Sequence, residues 1–144
     1  MSRRVIVHSL EQARAAIDAA AALGVAVTIE SAAGAGTYAG PLWFKALIAE
    51  ARAAHPEVEV TEVLDCAEQA GTTLAALRAG LKRVRFTGPE ERRRVLAEIA
   101  AAQGAAVEGA SAEPALDLLD ERDPEAALRP FLGEKKAAAR RVSG

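Results

Sequence analysis

The side chains of this chain that could do chemistry stand where its predicted strands end. Four dipeptides occupy these positions: His8-Ser9, Glu30-Ser31, Asp65-Cys66 and Thr87-Gly88. Parallel strands bring their carboxyl ends to one edge of a sheet, where loop amides and helix N-termini also gather. We therefore expect a site at this edge, and its candidate catalytic residues are His8, Glu30, Asp65 and Cys66.

Two of these candidates suggest acid–base chemistry. His8 and Glu30 would lie close together if the first two strands are adjacent, and a carboxylate beside an imidazole favours the charged ring or fixes its tautomer. Cys66 would begin a helix, where the dipole lowers the pKa of a thiol, so a thiol–imidazole nucleophile can be drawn with His8. A structural ion pair and a small buried cysteine are the alternatives.

Helix capping explains several of the same residues. Ser9-x-x-Gln12 and Thr87-x-x-Glu90 both match the capping box. Asp65 can accept hydrogen bonds from the first amides of the helix that follows it.

A glycine-rich segment over 34–41 connects the second strand to a helix. No Gly-Lys-Ser/Thr follows it, which excludes a P-loop, although it fits a loose Gly-x-Gly-x-x-Ala dinucleotide pattern. We expect its amides to face a small polar or anionic ligand. Of the neighbouring aromatic residues, we expect Phe44 in the core and Trp43 towards the site or a partner. The predicted ligand-binding residues are Ser31, Gly34, Gly36, Thr37, Tyr38, Trp43 and Thr87.

The hydrophobic period alternates between that of strands and that of helices. Strands are predicted over 4–8, 25–30, 57–65, 82–87 and 105–108, and helices over 10–23, 41–54, 66–79 and 89–103. This alternation predicts a single α/β domain with a mostly parallel five-stranded sheet, flavodoxin-like. The alternative is a half (β/α)-barrel completed by a second copy. The opposite charges of strands three and four predict that these two strands pair.

The composition shifts after the fifth strand. Residues 1–109 form the predicted α/β domain, and residues 110–133 a helical C-terminal extension packed on it, with helices over 115–121 and 124–132. Residues 134–144 are expected to form a flexible basic tail. A clasp between two copies is an alternative role for the extension.

The overall composition narrows the function classes. The chain has 144 residues, a net charge of −2, one cysteine and two histidines. We therefore expect no nucleic-acid partner, no metal site and no cofactor. Neither a signal peptide nor a membrane span is predicted, which favours a cytoplasmic protein.

Part of the chain resembles response-regulator receiver domains. The resemblance rests on Val-Thr-Glu-Val-Leu-Asp65, on Leu74-Ala-Ala-Leu-Arg78-Ala-Gly80 and on Phe86-Thr-Gly-Pro. It implies that Asp65 would accept a phosphoryl group. Most of residues 4–109 are also similar to small bacterial proteins that carry no assigned activity.

Three function classes follow from the sequence. The first is a non-catalytic domain that binds a small polar or anionic ligand at the strand ends, or a regulatory module. The second is a small enzyme that uses His8, Glu30, Asp65 or Cys66. The third is a structural subunit of a homo-oligomer, such as a homodimer.

Overall fold

The fold is known from a computed structural model, which describes residues 2–143 and the side chains of residues 2–133. Its strands are β1 (Arg3–Val7), β2 (Val27–Ser31), β3 (Val60–Asp65), β4 (Arg83–Arg85), β5 (Ala106–Glu108) and β6 (Ala115–Asp117). Its helices are α1 (Leu10–Leu23), α2 (Ala35–Tyr38), α3 (Pro41–Arg52), α4 (Ala70–Arg78), α5 (Glu90–Ala102) and α6 (Pro124–Ser143).

The six strands form one parallel sheet in the order β5-β4-β3-β2-β1-β6. The predicted single α/β domain with a parallel sheet is confirmed, as is the pairing of the third and fourth strands. The first five strands neighbour one another in chain order, as successive strands of a (β/α) barrel do. The doubly wound flavodoxin order is instead 2-1-3-4-5.

The helices share one face of the sheet. Each helix contacts its neighbours in the order α5, α4, α3, α1, α6. This order follows that of the strands beneath them. An apolar core joins this layer to the sheet, with Val5, Ile29, Leu64 and Val84 from the strands. The architecture is therefore that of a half barrel, with its helices outside and the other face of the sheet inside.

Local sequence signals explain where α1 begins and ends. The Ser9 hydroxyl accepts a hydrogen bond from the amide of Gln12, as predicted. Gly24 adopts a left-handed conformation, φ 65°, and its amide bonds back to the last turn, which ends the helix. The cap predicted at Thr87 is wrong, because α5 begins after Pro89 without a side-chain cap.

The sequence analysis was wrong about the segment that follows β5. A helix was predicted over 115–121, whereas residues Ala115–Asp117 form the sixth strand, which pairs in parallel with β1. The apolar residues Leu116 and Leu119 fit a short helix or a strand equally well, and the open edge of β1 decides between them. The side chains of the predicted basic tail, 134–144, lie outside the described part of the structure.

Candidate functional site at the inner face and the carboxyl edge

The face of the sheet opposite the helices, called the inner face below, carries a charged network. Glu30 is 2% exposed and accepts hydrogen bonds from two arginines on other strands. Its Oε2 lies 2.5 Å from Nε of Arg4, and its Oε1 lies 2.9 Å from Nη2 of Arg4 and 2.5 Å from Nη1 of Arg85. Arg85 continues the network to Glu108 at 2.7 Å. Four strands are thus joined across the inner face.

Burial and ion pairing have opposite effects on Glu30. Burial alone would raise the pKa of its carboxyl, but the hydrogen bonds and charges of Arg4 and Arg85 outweigh burial and hold that pKa below its ordinary value. Glu30 is therefore an ionised structural partner. Both of its oxygens are occupied by guanidinium groups, which leaves it poorly placed to take up a substrate proton.

The segment between β5 and β6, residues 109–114, is called the strap below, because it connects strands at opposite edges of the sheet. Arg85 Nε donates to the Gly109 carbonyl at 3.1 Å, and Arg4 Nη1 donates to the Glu113 carbonyl. Fully extended, the seven peptide steps from Glu108 to Ala115 reach about 24 Å. In a flat sheet, the five interstrand spacings between β5 and β6 also add up to about 24 Å. The short strap therefore requires either near-full extension or a curved sheet.

A cavity of about 370 Å³ lies between the inner face and the strap. The strand residues around it come mainly from the first halves of β1, β2 and β3 and from β4 and β5. Four arginines and three glutamates line it, together with four hydroxyl side chains. The lining residues are Ser2, Arg3, Arg4, Thr28, Glu30, Thr61, Val63, Arg83, Arg85, Glu108, Ser111, Glu113 and Pro114.

At the carboxyl edge, His8 pairs with a residue that the sequence analysis placed in a helix. Its Nε2 lies 2.6 Å from Oδ1 of Asp117, at the end of β6. The proposed pair of His8 with Glu30 is wrong, since Glu30 is taken by Arg4 and Arg85. The proposed thiol–imidazole pair also fails, because no hydrogen bond joins His8 to Cys66 among the described residues.

Asp65 and Ser31 tie the ends of β2 and β3 together. The Ser31 hydroxyl accepts a hydrogen bond from the Asp65 amide at 2.9 Å. One oxygen of Asp65, Oδ1, accepts from the amides of Ala67 at 2.8 Å and Gly34 at 3.2 Å. Asp65 therefore orders the loops at the carboxyl edge, and its bonded amides precede α4 rather than belong to that helix.

Cys66 is a packing residue, as the plainer alternative stated. Its side chain is fully buried, and burial raises the pKa of the thiol to about 11 despite a hydrogen bond with Thr73. Helix α4 begins only at Ala70, so the predicted dipole effect of a first helical turn does not apply to this thiol.

The glycine-rich segment contains the short helix α2. Gly36 lies so close to Cys66 that an added Cβ would stand 2.7 Å from the sulfur. The hydroxyl of Thr37 lies 3.2 Å from that of Thr72, and Tyr38 is 71% exposed. Phe44 is fully buried, as predicted, and Trp43 is 36% exposed at the helix surface. The segment thus packs against β3 and α4 and lies away from the inner-face cavity.

Of the predicted site residues, only Glu30 lines that cavity. The sequence analysis missed Arg4, Arg85 and Glu108, although strand four showed the alternation Arg83, Val84, Arg85. The charges of this strand served only to predict its pairing with strand three, and nothing local indicated that its polar face would meet Glu30. The described residues hold no group of three or more histidine, cysteine or acidic side chains placed to bind a metal ion.

Parts of this chain are similar to parts of proteins named as aldolases. No family model matches the chain. The fructose-bisphosphate aldolase of Xanthobacter flavus is 34% identical over 82 residues, which are 57% of this chain and 23% of that enzyme. A solved structure from Coccidioides immitis, provisionally named a fructose-1,6-biphosphate aldolase, matches with a TM-score of 0.62 and 25% identity. That match covers 75% of this chain and 45% of the other.

The chain thus spans about a quarter of the curated relative and less than half of the solved one. These matches overturn the resemblance to response-regulator receiver domains and to proteins without an assigned activity. Within the described residues, no helix has the length and apolar character needed to cross a membrane.

Proposed function

We propose that this domain binds a small phosphorylated carbohydrate in the cavity between the inner face and the strap. The observation that carries the proposal is the lining of that cavity, which combines arginines with hydroxyl and carboxylate side chains. Guanidinium groups suit phosphate oxygens, while hydroxyls and carboxylates suit the hydroxyl groups of a sugar. The volume of about 370 Å³ lies within the range of small-molecule sites, roughly 300–1,000 Å³.

Arg83 is the arginine best placed to contact a phosphate. Arg4 and Arg85 each use all three guanidinium nitrogens on protein acceptors. Arg83 is 46% exposed, and among the described side chains it makes one ion pair, from Nη1 to Oε2 of Glu108 at 3.2 Å. The names of the two aldolase relatives support a sugar bisphosphate as the ligand class. These names are also compatible with the alternative that this chain is a small enzyme.

Thermal shift and calorimetry with fructose 1,6-bisphosphate test the proposal. A ligand present at 100 times its Kd stabilises a folded domain by about 2.7 kcal/mol. We expect a rise in Tm with the bisphosphate and none with fructose, which lacks the phosphates. The same measurements with inorganic phosphate show whether the phosphate group alone is enough to raise the Tm.

Arg83→Gln should abolish the shift without unfolding the protein, because the side chain is half exposed. The matched control is Arg92→Gln on α5, which does not line the cavity. The proposal is refuted if millimolar bisphosphate leaves the Tm of the parent unchanged, or if both variants respond like the parent.

A further inference from the structure

A second cavity lies at the amino ends of the strands, and the proposed function does not use it. This amino-edge cavity has a volume of about 460 Å³ and is found where α3 ends and where β3, β4 and β5 begin. Its charged lining consists of three cations, Arg52, Lys82 and Arg83, and one carboxylate, that of Glu62. The cavity therefore has the size and the charge to receive a small anion.

The three cations keep donors that the protein itself does not use. Arg52 is the last residue of α3 and Lys82 directly precedes β4. Neither side chain makes a hydrogen bond or a close ion pair with a residue that the structure describes. Arg83 binds Glu108 through Nη1 alone, so within the described part of the chain its Nε and Nη2 are also not engaged. Donors from two different elements are thus available in one cavity.

The negative charges near this edge do not balance the cations. Glu62 is half-buried, and burial raises the pKa of its carboxyl although the charges of Arg52 and Lys45 act in the opposite direction. Two more carboxylates precede β3, those of Glu57 and Glu59, but they line a separate cleft. The amino-edge cavity therefore keeps an excess of positive charge, while the chain as a whole has a net charge of −2.

The backbone holds this lining in place. The Lys82 carbonyl accepts a hydrogen bond from the Ala106 amide at 2.9 Å, which fixes the start of β4 beside β5. Gly104, with φ 72°, turns the chain from α5 into β5, and its amide bonds to the Ala101 carbonyl at 3.1 Å. A glycine at this bend adds no side chain to the cavity. The cavity is therefore bordered by ordered backbone, and its free donors are those of side chains.

We propose that the amino-edge cavity is a second anion site, which binds a diphosphate group through Arg52, Lys82 and Arg83. A guanidinium fork and a lysine ammonium both suit phosphate oxygens, and a diphosphate carries enough charge to engage all three cations. The site is distinct from the inner-face cavity, because Arg52 and Lys82 line only the amino-edge cavity. Arg83 lines both, so the two sites are neighbours.

The helix dipole offers another explanation for Arg52. A cation is favoured near the C-terminus of a helix, and Arg52 lies in the last turn of α3. Arg78 has the same position in α4 but lines neither cavity, which makes it a matched control. The dipole does not account for Lys82, which belongs to no helix.

Isothermal titration calorimetry with inorganic pyrophosphate, at constant ionic strength, tests the second site on the full chain. Lys82→Gln and Arg52→Gln should each weaken binding about tenfold, the effect of losing one hydrogen bond between charged groups. Arg78→Gln should bind like the parent. Glu62→Gln removes the opposing charge and should tighten binding by up to about fivefold. ADP, titrated in the same way, distinguishes a nucleotide from a free oxyanion as the source of the diphosphate group.

Three outcomes would overturn the assignment: no binding of pyrophosphate to the parent, parent-like binding in both Lys82→Gln and Arg52→Gln, or an equal loss in Arg78→Gln. Circular dichroism shows whether each variant is folded, and Lys82 is exposed, so its replacement should not disturb the core. The thermal shift with fructose 1,6-bisphosphate separates this site from the inner-face cavity. Lys82→Gln should keep that shift, and loss of both ligands in this variant would show a single site and refute the second. Either proposal can therefore fail while the other stands.

Discussion

Replacement of Glu30 by glutamine tests whether the charged network of the inner face is structural. Glutamine keeps the shape of the side chain but removes the charge that Arg4 and Arg85 share. Those two side chains are 15% and 7% exposed, and Arg85 alone retains a carboxylate, that of Glu108. Removing one partner of a buried ion pair costs about 3–5 kcal/mol. We expect a loss near the lower limit, because glutamine still offers one acceptor oxygen.

The matched control is Glu90→Gln. Glu90 also contacts its arginine, Arg93, through two guanidinium nitrogens, but it lies on the surface of α5. Exposed ion pairs contribute little to stability. The same substitution should therefore leave the stability of the protein almost unchanged at this position.

Urea denaturation at neutral pH measures the free energy of unfolding of the parent and both variants, and thermal melting gives the corresponding Tm. For a chain of this size, a loss of about 3 kcal/mol lowers the Tm by roughly 10 °C. The folded pKa of Glu30 is lowered, so its stabilising effect is complete above its unfolded pKa of about 4.3 and is lost as the pH falls towards the folded value. The difference between parent and Glu30→Gln should shrink over that acid range. A loss at neutral pH no larger than that of Glu90→Gln would refute the argument.

Two further predictions concern the carboxyl edge. Gly36→Ala should destabilise the domain by about 1–3 kcal/mol, since the new methyl would overlap the Cys66 sulfur. The control is Gly71→Ala in α4, where an added methyl meets open space, and it should stabilise the domain by up to about 1 kcal/mol. Similar urea midpoints for the two variants would contradict the packing argument. Cys66, with a buried thiol of pKa about 11, should resist iodoacetamide at pH 8 until urea unfolds the protein. Rapid alkylation of the native protein, seen by mass spectrometry, would show that the thiol is accessible.

Much of the architecture could be predicted because its signals are local. The helix over 10–23 follows from its apolar stripe, from Ser9 before it and from Gly24 after it, and the structure gives the same bounds. Phe44 and Trp43 stand side by side on one helix, so only one of them could enter the core. The sequence shows directly that the strands end in polar residues. The expectation that these residues meet at one edge of the sheet requires only that the strands run parallel.

The sites depended on contacts between distant segments. Glu30 and Arg85 are 55 residues apart, and His8 and Asp117 are 109 residues apart. No local pattern indicates either pair. The sequence offered His8 and Glu30 as partners, yet His8 pairs with Asp117, and Glu30 pairs with Arg4 and Arg85.

The sequence by itself determined the alternation of strands and helices and the polar residues at the strand ends, because those depend on hydrophobic period, capping and turn residues. Only the tertiary structure decided that β6 lies beside β1 and that the strap covers the inner face. It also decided which arginine meets which carboxylate. The physical reason is that a buried or half-buried charge is stabilised by whichever opposite charge the completed sheet brings within reach, however far away that partner lies along the chain.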